Sequence, residues 1–233
     1  MTTISSETIK CAVCGTDNQV NIVMASNSFG PCDIDFRPAL SLRYDCLNSI
    51  QRCACCNYVA FDLSENGDEN IQEVLDSKEY KTILGLSMHY QVKDYLLRAI
   101  IDEHYGRKKE VATDRIFAAW LMEDLTLTFL EQAGNSYYDW LSKTEPVNAS
   151  PIAVIRMLDI FRRAGDFDRV TKYATRYTVP EDNRFYHVYK YVLKLTDEHN
   201  VGMCKADAAA DWWTALGHTI KSPWDDVPGL EGT

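Results

Sequence analysis

Two cysteine pairs restrict this chain more than any other feature: Cys11-Ala12-Val13-Cys14-Gly15 and Cys53-Ala54-Cys55-Cys56-Asn57 are C-x-x-C knuckles. Two residues between sulfurs let one tight turn aim both at a single ion. A residue that tolerates positive φ after the second cysteine frees backbone N–H groups to point at the thiolates. Gly15 has that tolerance, and Asn57 is the next best choice. The outer cysteines Cys11, Cys14, Cys53 and Cys56 therefore form the candidate ligand set. Four thiolates at about 2.3 Å in a tetrahedron make a closed structural Zn²⁺ site, with no position open to substrate. Cys55 could stand in for Cys53 or Cys56, but adjacent side chains point to different sides of the chain, so the x-x spacing has the better reach. A disulfide framework would call for an oxidising compartment, and a thioredoxin-like pair for a strand-helix-strand context. Neither an export signal nor that context is visible. Cys32, Cys46 and Cys204 lack a partner at knuckle spacing and read as small buried hydrophobes.

Seven of the eight cysteines fall in the first quarter of the chain, which divides it into two architectures. From Lys10 to Leu63 the residues are rich in Gly, Pro, Asn and Ser. Short alternating runs, Gln19 to Val23 and Tyr58 to Phe61, suit strands. So few large aliphatics bury little apolar surface, and a metal worth about 10–16 kcal/mol of apparent binding free energy would decide whether such a segment folds. Chelation is then expected to unfold the N-terminal region and leave the helices largely intact. Ser64 to Asn70 reads as a linker. Beyond it apolar residues recur at helical spacing. Val92, Leu96, Ala99 and Ile100 form one helix face, and Ala112, Ile116, Ala119 and Trp120 the next, with Gly106 between. Ser150-Pro151 supplies an N-cap and a first-turn proline for a helix presenting Val154, Met157, Leu158 and Phe161. Gly165-Asp166 turns the chain toward a face of Val170, Tyr173, Ala174 and Tyr177. Two more helices are expected within 181–200 and 205–216, and Leu125 to Asn148 reads as irregular. Paired helices with a Gly turn and small packing residues resemble tetratricopeptide-type repeats, an ordinary α-bundle being the alternative. The expectation is an α+β, mainly α protein: a zinc-ribbon domain over 1–66 with short antiparallel strands, and a tetratricopeptide-like helical domain over 67–233 with a C-terminal tail.

The order C-x-x-C-G, then Ser28-Phe29-Gly30-Pro31-Cys32-Asp33-Ile34-Asp35-Phe36-Arg37-Pro38, then C-x-x-C and Tyr58, then Phe161 to Asp168, resembles an uncharacterised bacterial domain-of-unknown-function family. Its members pair a CPxCG-type zinc ribbon with a tetratricopeptide-like region. The likeness runs from about Cys11 to Ala209. It departs at Ala12 and Ala54, where the family pattern often has Pro, and at Asn57, which replaces Gly. The resemblance implies a zinc ribbon and a repeat-like scaffold, and no reaction.

Asp33-x-Asp35-x-Arg37 places three charges on one face of an extended segment, with Ile34 and Phe36 on the other. That face reads as a recognition surface, or as a solvated strand face with an Asp–Arg contact. Arg162-Arg163 reads equally as an acidic-peptide contact or a solvated helix end. The aromatic clusters Tyr137-Tyr138-x-Trp140, Phe185 to Tyr191 and Trp212-Trp213 read as inter-helix packing, or as groove anchors. The five histidines (His89, His104, His187, His199, His218) form no H-E-x-x-H, and phosphate-loop, dinucleotide and esterase motifs are missing; no catalytic residue is assigned. A formal net charge of −10, −3 of it within Met1 to Glu65, opposes nucleic-acid binding. The longest apolar run, Ile116 to Met122, is far too short to cross a bilayer, and MTTISSETIK holds no apolar signal core. A soluble cytoplasmic protein without membrane contact is expected, serving as a non-enzymatic zinc adaptor for a protein or peptide partner. The competing classes are an enzyme using Cys32 or Cys55 with a His, or the Asp33/Asp35 face, and a nucleic-acid-binding ribbon.

Overall fold

The structure is a computed structural model and describes residues 3–26, 29–39, 42–43, 49–65, 69–122 and 126–220. Cys46, the middle of the expected linker and the tail from Lys221 lie outside the described residues. Two antiparallel hairpins come first. Strand β1 (Thr3–Lys10) pairs with β2 (Asp17–Ala25) in a register that sets Glu7 opposite Val20 and Lys10 opposite Asp17. Strand β3 (Gln51–Arg52) pairs with β4 (Val59–Ala60). The expected runs become β2 and β4. Strand β1 was not foreseen, because it is exposed along most of its length and so lacks the in–out alternation that marks a half-buried strand.

Nine α-helices follow among the described residues: α1 (Ile71–Asp76), α2 (Lys78–Gly85), α3 (Tyr90–His104), α4 (Lys108–Leu121), α5 (Thr126–Ser142), α6 (Pro151–Arg163), α7 (Phe167–Ala174), α8 (Tyr186–Asp197) and α9 (Ala206–Ala215). The fold is thus α+β and mainly α. No described helix is long and apolar enough to cross a membrane. The stretch expected to be irregular contains α5, whose Leu130, Ala133, Tyr137 and Leu141 recur at helical spacing and are buried.

The chain falls into two compact units, residues 1–30 with 38–140, and residues 31–37 with 141–233. The composition shift at 66/67 therefore lies inside the first unit. Its physical reason is a shared core: Cys11, Val20, Cys53, Tyr58, Val59, Ala60 and Leu63 from the hairpins pack with Ile71, Val74, Leu75, Tyr80, Leu97 and Ile101 from α1 to α3. The hairpin of α3 and α4 turns at Gly106, φ +69°. It buries Val92, Leu96 and Ala99 on one helix, with Ile100 only part-buried, and Ala112, Ile116, Ala119 and Trp120 on the other.

In the second unit, α6 buries Val154, Met157, Leu158 and Phe161. Ser150 sits at its N-cap with Pro151 in the first turn, but its side chain caps nothing; the Ser150 carbonyl accepts from Val154 N at 2.9 Å. The cap that does form is Asp166 at α7, accepting from Arg169 N at 3.1 Å after Gly165 turns at φ +78°. Helix α7 ends at Ala174, so Tyr177 is buried beyond it and not on its face. Helix α8 packs against both α6 and α7, and α9 against α8.

Candidate metal centre

Each knuckle is the turn of one hairpin, and the two turns share one hydrogen-bond pattern. Cys11 N donates to Thr16 O at 2.9 Å and Gly15 N to Cys11 O at 2.8 Å; Cys53 N donates to Tyr58 O at 2.8 Å and Asn57 N to Cys53 O at 3.0 Å. Gly15 adopts φ +74° and Asn57 φ +61°, the left-handed conformation expected after the second cysteine of each pair. The turns face each other so that the sulfurs of Cys11, Cys14, Cys53 and Cys56 all lie within 4.8 Å of one another. Cys11 Sγ is 3.8 Å from Cys56 Sγ, and Cys14 Sγ is 3.5 Å from Cys53 Sγ. A tetrahedron with metal–sulfur bonds of about 2.3 Å has edges of about 3.8 Å, so the donor set fits one ion. Cys55 is exposed and outside the group.

The four sulfurs occupy different environments. Burial pushes the Cys11 and Cys56 thiols up, against backbone N–H donors from Cys14 and Val13 to the first and from Tyr58 to the second. Cys14 is exposed, and the hydroxyl and N–H of Thr16 draw it down to about 6. Thr16 Oγ1 stands 3.4 Å from Cys14 Sγ. Metal binding needs thiolates, so these donors favour the bound state.

Two residues that sequence reasoning missed support the cluster. Asn18, buried at the start of β2, donates from Nδ2 to Thr16 O at 2.8 Å and toward Cys53 Sγ at 3.6 Å, and accepts from Ala54 N at 2.9 Å. Its signal was an asparagine at the head of an alternating run, a residue type depleted in strands. Tyr80 on α2 donates its hydroxyl to Asn57 O at 2.7 Å, and no local pattern announces that contact.

The second predicted site is corrected. Asp33, Asp35 and Arg37 are 1%, 1% and 3% exposed, with Ile34 buried beside them. They are therefore not a face presented to solvent. The alternation fails because the chain turns: Phe36 N donates to Asp33 O at 2.8 Å, Asp33 N to Arg37 O at 2.9 Å, and Phe36 takes φ +62°. This segment belongs to the second unit, where Ile34 N donates to Cys204 O at 3.1 Å and Ala206 N to Cys32 O at 2.8 Å. Asp33 pairs with Lys205 at 2.5 Å and Asp35 with Arg163 at 3.0 Å, while Arg156 Nε donates to Asp35 O at 2.9 Å. The Arg162-Arg163 dipeptide is no solvated helix end. Arg162 is fully buried, paired with Asp159 at 2.7 Å and donating to the carbonyls of Asn200 and Gly202. Cys32 and Cys204 are part-buried, and burial pushes both thiols up, away from nucleophilic activation. Of the histidines, His218 stacks on Trp213 at 4.1 Å and His199 meets Phe167 edge-on at 4.7 Å.

Comparison with family models, with curated proteins and with solved structures gives no match, so the metal centre stands on the geometry of this chain's own residues.

Proposed function

We propose that the four-cysteine cluster holds one structural Zn²⁺ and that the protein is a non-enzymatic scaffold for a protein partner. The observation that carries the first half is the cluster of four cysteine sulfurs within 4.8 Å of one another, a set that can fill all four positions of a zinc site with thiolate and leave none for substrate. Zn²⁺ is the ion whose softness and lack of geometric demand suit such a set in a knuckle fold. The scaffold reading draws support from the fate of the other reactive groups. Asp33 and Asp35, themselves buried, are each engaged by a cation, the part-exposed Lys205 and the largely buried Arg163, and burial pushes the Cys32 and Cys204 thiols up.

A protein partner is favoured by a cleft of about 320 Å³ in the first unit, lined by β2 and β3 together with Ile4, Ile50 and Tyr90. Strand edges beside apolar side chains accept an extended peptide, and an exposed tyrosine is a common anchor. Ile4 is 54% and Tyr90 55% exposed.

Elemental analysis of the gently purified full chain, with thiols counted before and after chelation, tests the metal. One zinc per chain with four thiols released by chelator is expected; metal-free protein whose cysteines oxidise and reduce readily overturns the reading in favour of redox chemistry. For the scaffold, a partner recovered from native lysate should be lost in the Ile4→Ser/Tyr90→Ala double variant at unchanged zinc content. A thiol or carboxylate activity that survives in that variant would point to the enzyme class instead.

A further inference from the structure

We infer that Asn18 is an outer-shell positioning residue of the metal centre, its carboxamide joining the two knuckles and donating a hydrogen bond to the Cys53 thiolate. The inference rests on the zinc reading above. Asn18 follows the first knuckle in sequence, yet its amide serves both. Nδ2 donates to Thr16 O at 2.8 Å, on the first turn, while Oδ1 accepts from Ala54 N at 2.9 Å, inside the second. The same Nδ2 lies 3.6 Å from Cys53 Sγ, within reach of a bond to sulfur. At 6% exposure the carboxamide is screened from water, so these partners are its means of satisfaction.

The centre is asymmetric in this respect. Position for position, the second knuckle carries Ala60 where the first carries Asn18, and Ala60 is buried without an amide. One side chain therefore fixes the separation of both turns. A donor on a thiolate also withdraws charge from it, which eases the crowding of four negative sulfurs around one cation. Outer-shell partners of this kind are worth about 10–100-fold in metal affinity.

The full chain loaded with Co²⁺, and competed with a chromophoric chelator for Zn²⁺, tests this with Asn18→Ala and Asn18→Asp. Aspartate keeps the acceptor for Ala54 N and removes the donor toward sulfur. Both variants should bind Zn²⁺ about 10–100-fold more weakly, with the sulfur-to-cobalt charge-transfer band moved to longer wavelength because the thiolate is more electron-rich. A residue that only packed would lower thermal stability and leave the band in place. Unchanged affinity and an unmoved band in both variants overturn the inference while the zinc site stands. Failure of the wild-type chain to give a four-thiolate cobalt spectrum overturns the zinc reading itself. Should either variant not fold, the wild-type chain loaded with NMR-active cadmium decides. Scalar coupling from the Asn18 side-chain amide proton to cadmium is expected, and its absence, with coupling from backbone amides present, refutes the bond.

Discussion

Removing the metal should unfold more than the hairpins. Cys11, Cys53 and Tyr58 share one core with Ile71, Val74, Leu75 and Tyr80, and Tyr80 also donates to the second knuckle through Asn57 O. Ile71, Val74 and Leu75 are each worth about 1.5–3 kcal/mol when buried, or roughly 4.5–9 kcal/mol together, and the Tyr80 hydrogen bond adds about 1 kcal/mol. A structural Zn²⁺ supplies about 10–16 kcal/mol of apparent binding free energy, comparable with the whole stability of an ordinary domain, about 5–15 kcal/mol. Once the knuckles open, α1 and α2 have lost their cover. At six and eight residues both fall below the roughly 12–15 needed for a helix to persist alone in water. Hydrogen exchange of the full chain with and without chelator should therefore show lost protection in β1 to β4 and, together with them, in α1 and α2. Helices α6 to α9 belong to the other unit and should keep theirs. This extends the expectation from composition, in which only the N-terminal region unfolds. Full retention of protection in α1 and α2 while the hairpins exchange freely would refute the shared core.

Three further outcomes test the same reasoning at single residues. Asp35→Asn leaves the Arg163 guanidinium, 9% exposed, without its anion and should cost about 3–5 kcal/mol, read as a lower denaturant midpoint for the unit of α6 to α9; an unchanged midpoint contradicts the buried pair. Burial raises Asp94 to about 6 against the pull of Arg52 and Lys93. The folded state therefore binds this proton more tightly than the unfolded one, and stability falls as pH rises from about 4 to about 6, by about 2–3 kcal/mol. Asp94→Asn should flatten that fall in urea titrations with metal in excess, and an identical slope in both proteins counts against the assignment. Gly15→Ala forces a β-carbon into φ +74°, which costs about 1–2 kcal/mol and should weaken zinc binding about tenfold, whereas Asn57→Gly should bind at least as tightly as wild type. Equal affinity of Gly15→Ala and wild type in chelator competition would mean the turn carries no such strain.

What the sequence settled alone is local. A sulfur pair two residues apart, with a residue suited to positive φ behind it, specifies a turn through bonds spanning a few residues, and both turns form with Gly15 and Asn57 as required. Helix faces obey the same logic, since apolar residues at helical spacing must share a side, and α3, α4 and α6 bury the residues so marked, with Ile100 on α3 only part-buried. The tertiary structure decided whatever depends on partners far along the chain. Alternation from Asp33 to Arg37 cannot reveal that Arg163, 128 positions away, draws Asp35 inward, nor that Lys205 does so for Asp33 at a separation of 172. Asn18 is an unremarkable polar residue until Ala54 and Cys53, more than 30 positions on, reach its amide. Likewise a hairpin segment too poor in aliphatics for a core of its own finds one against α1 to α3, because burial is set by what packs across the chain and spacing reports only what lies along it.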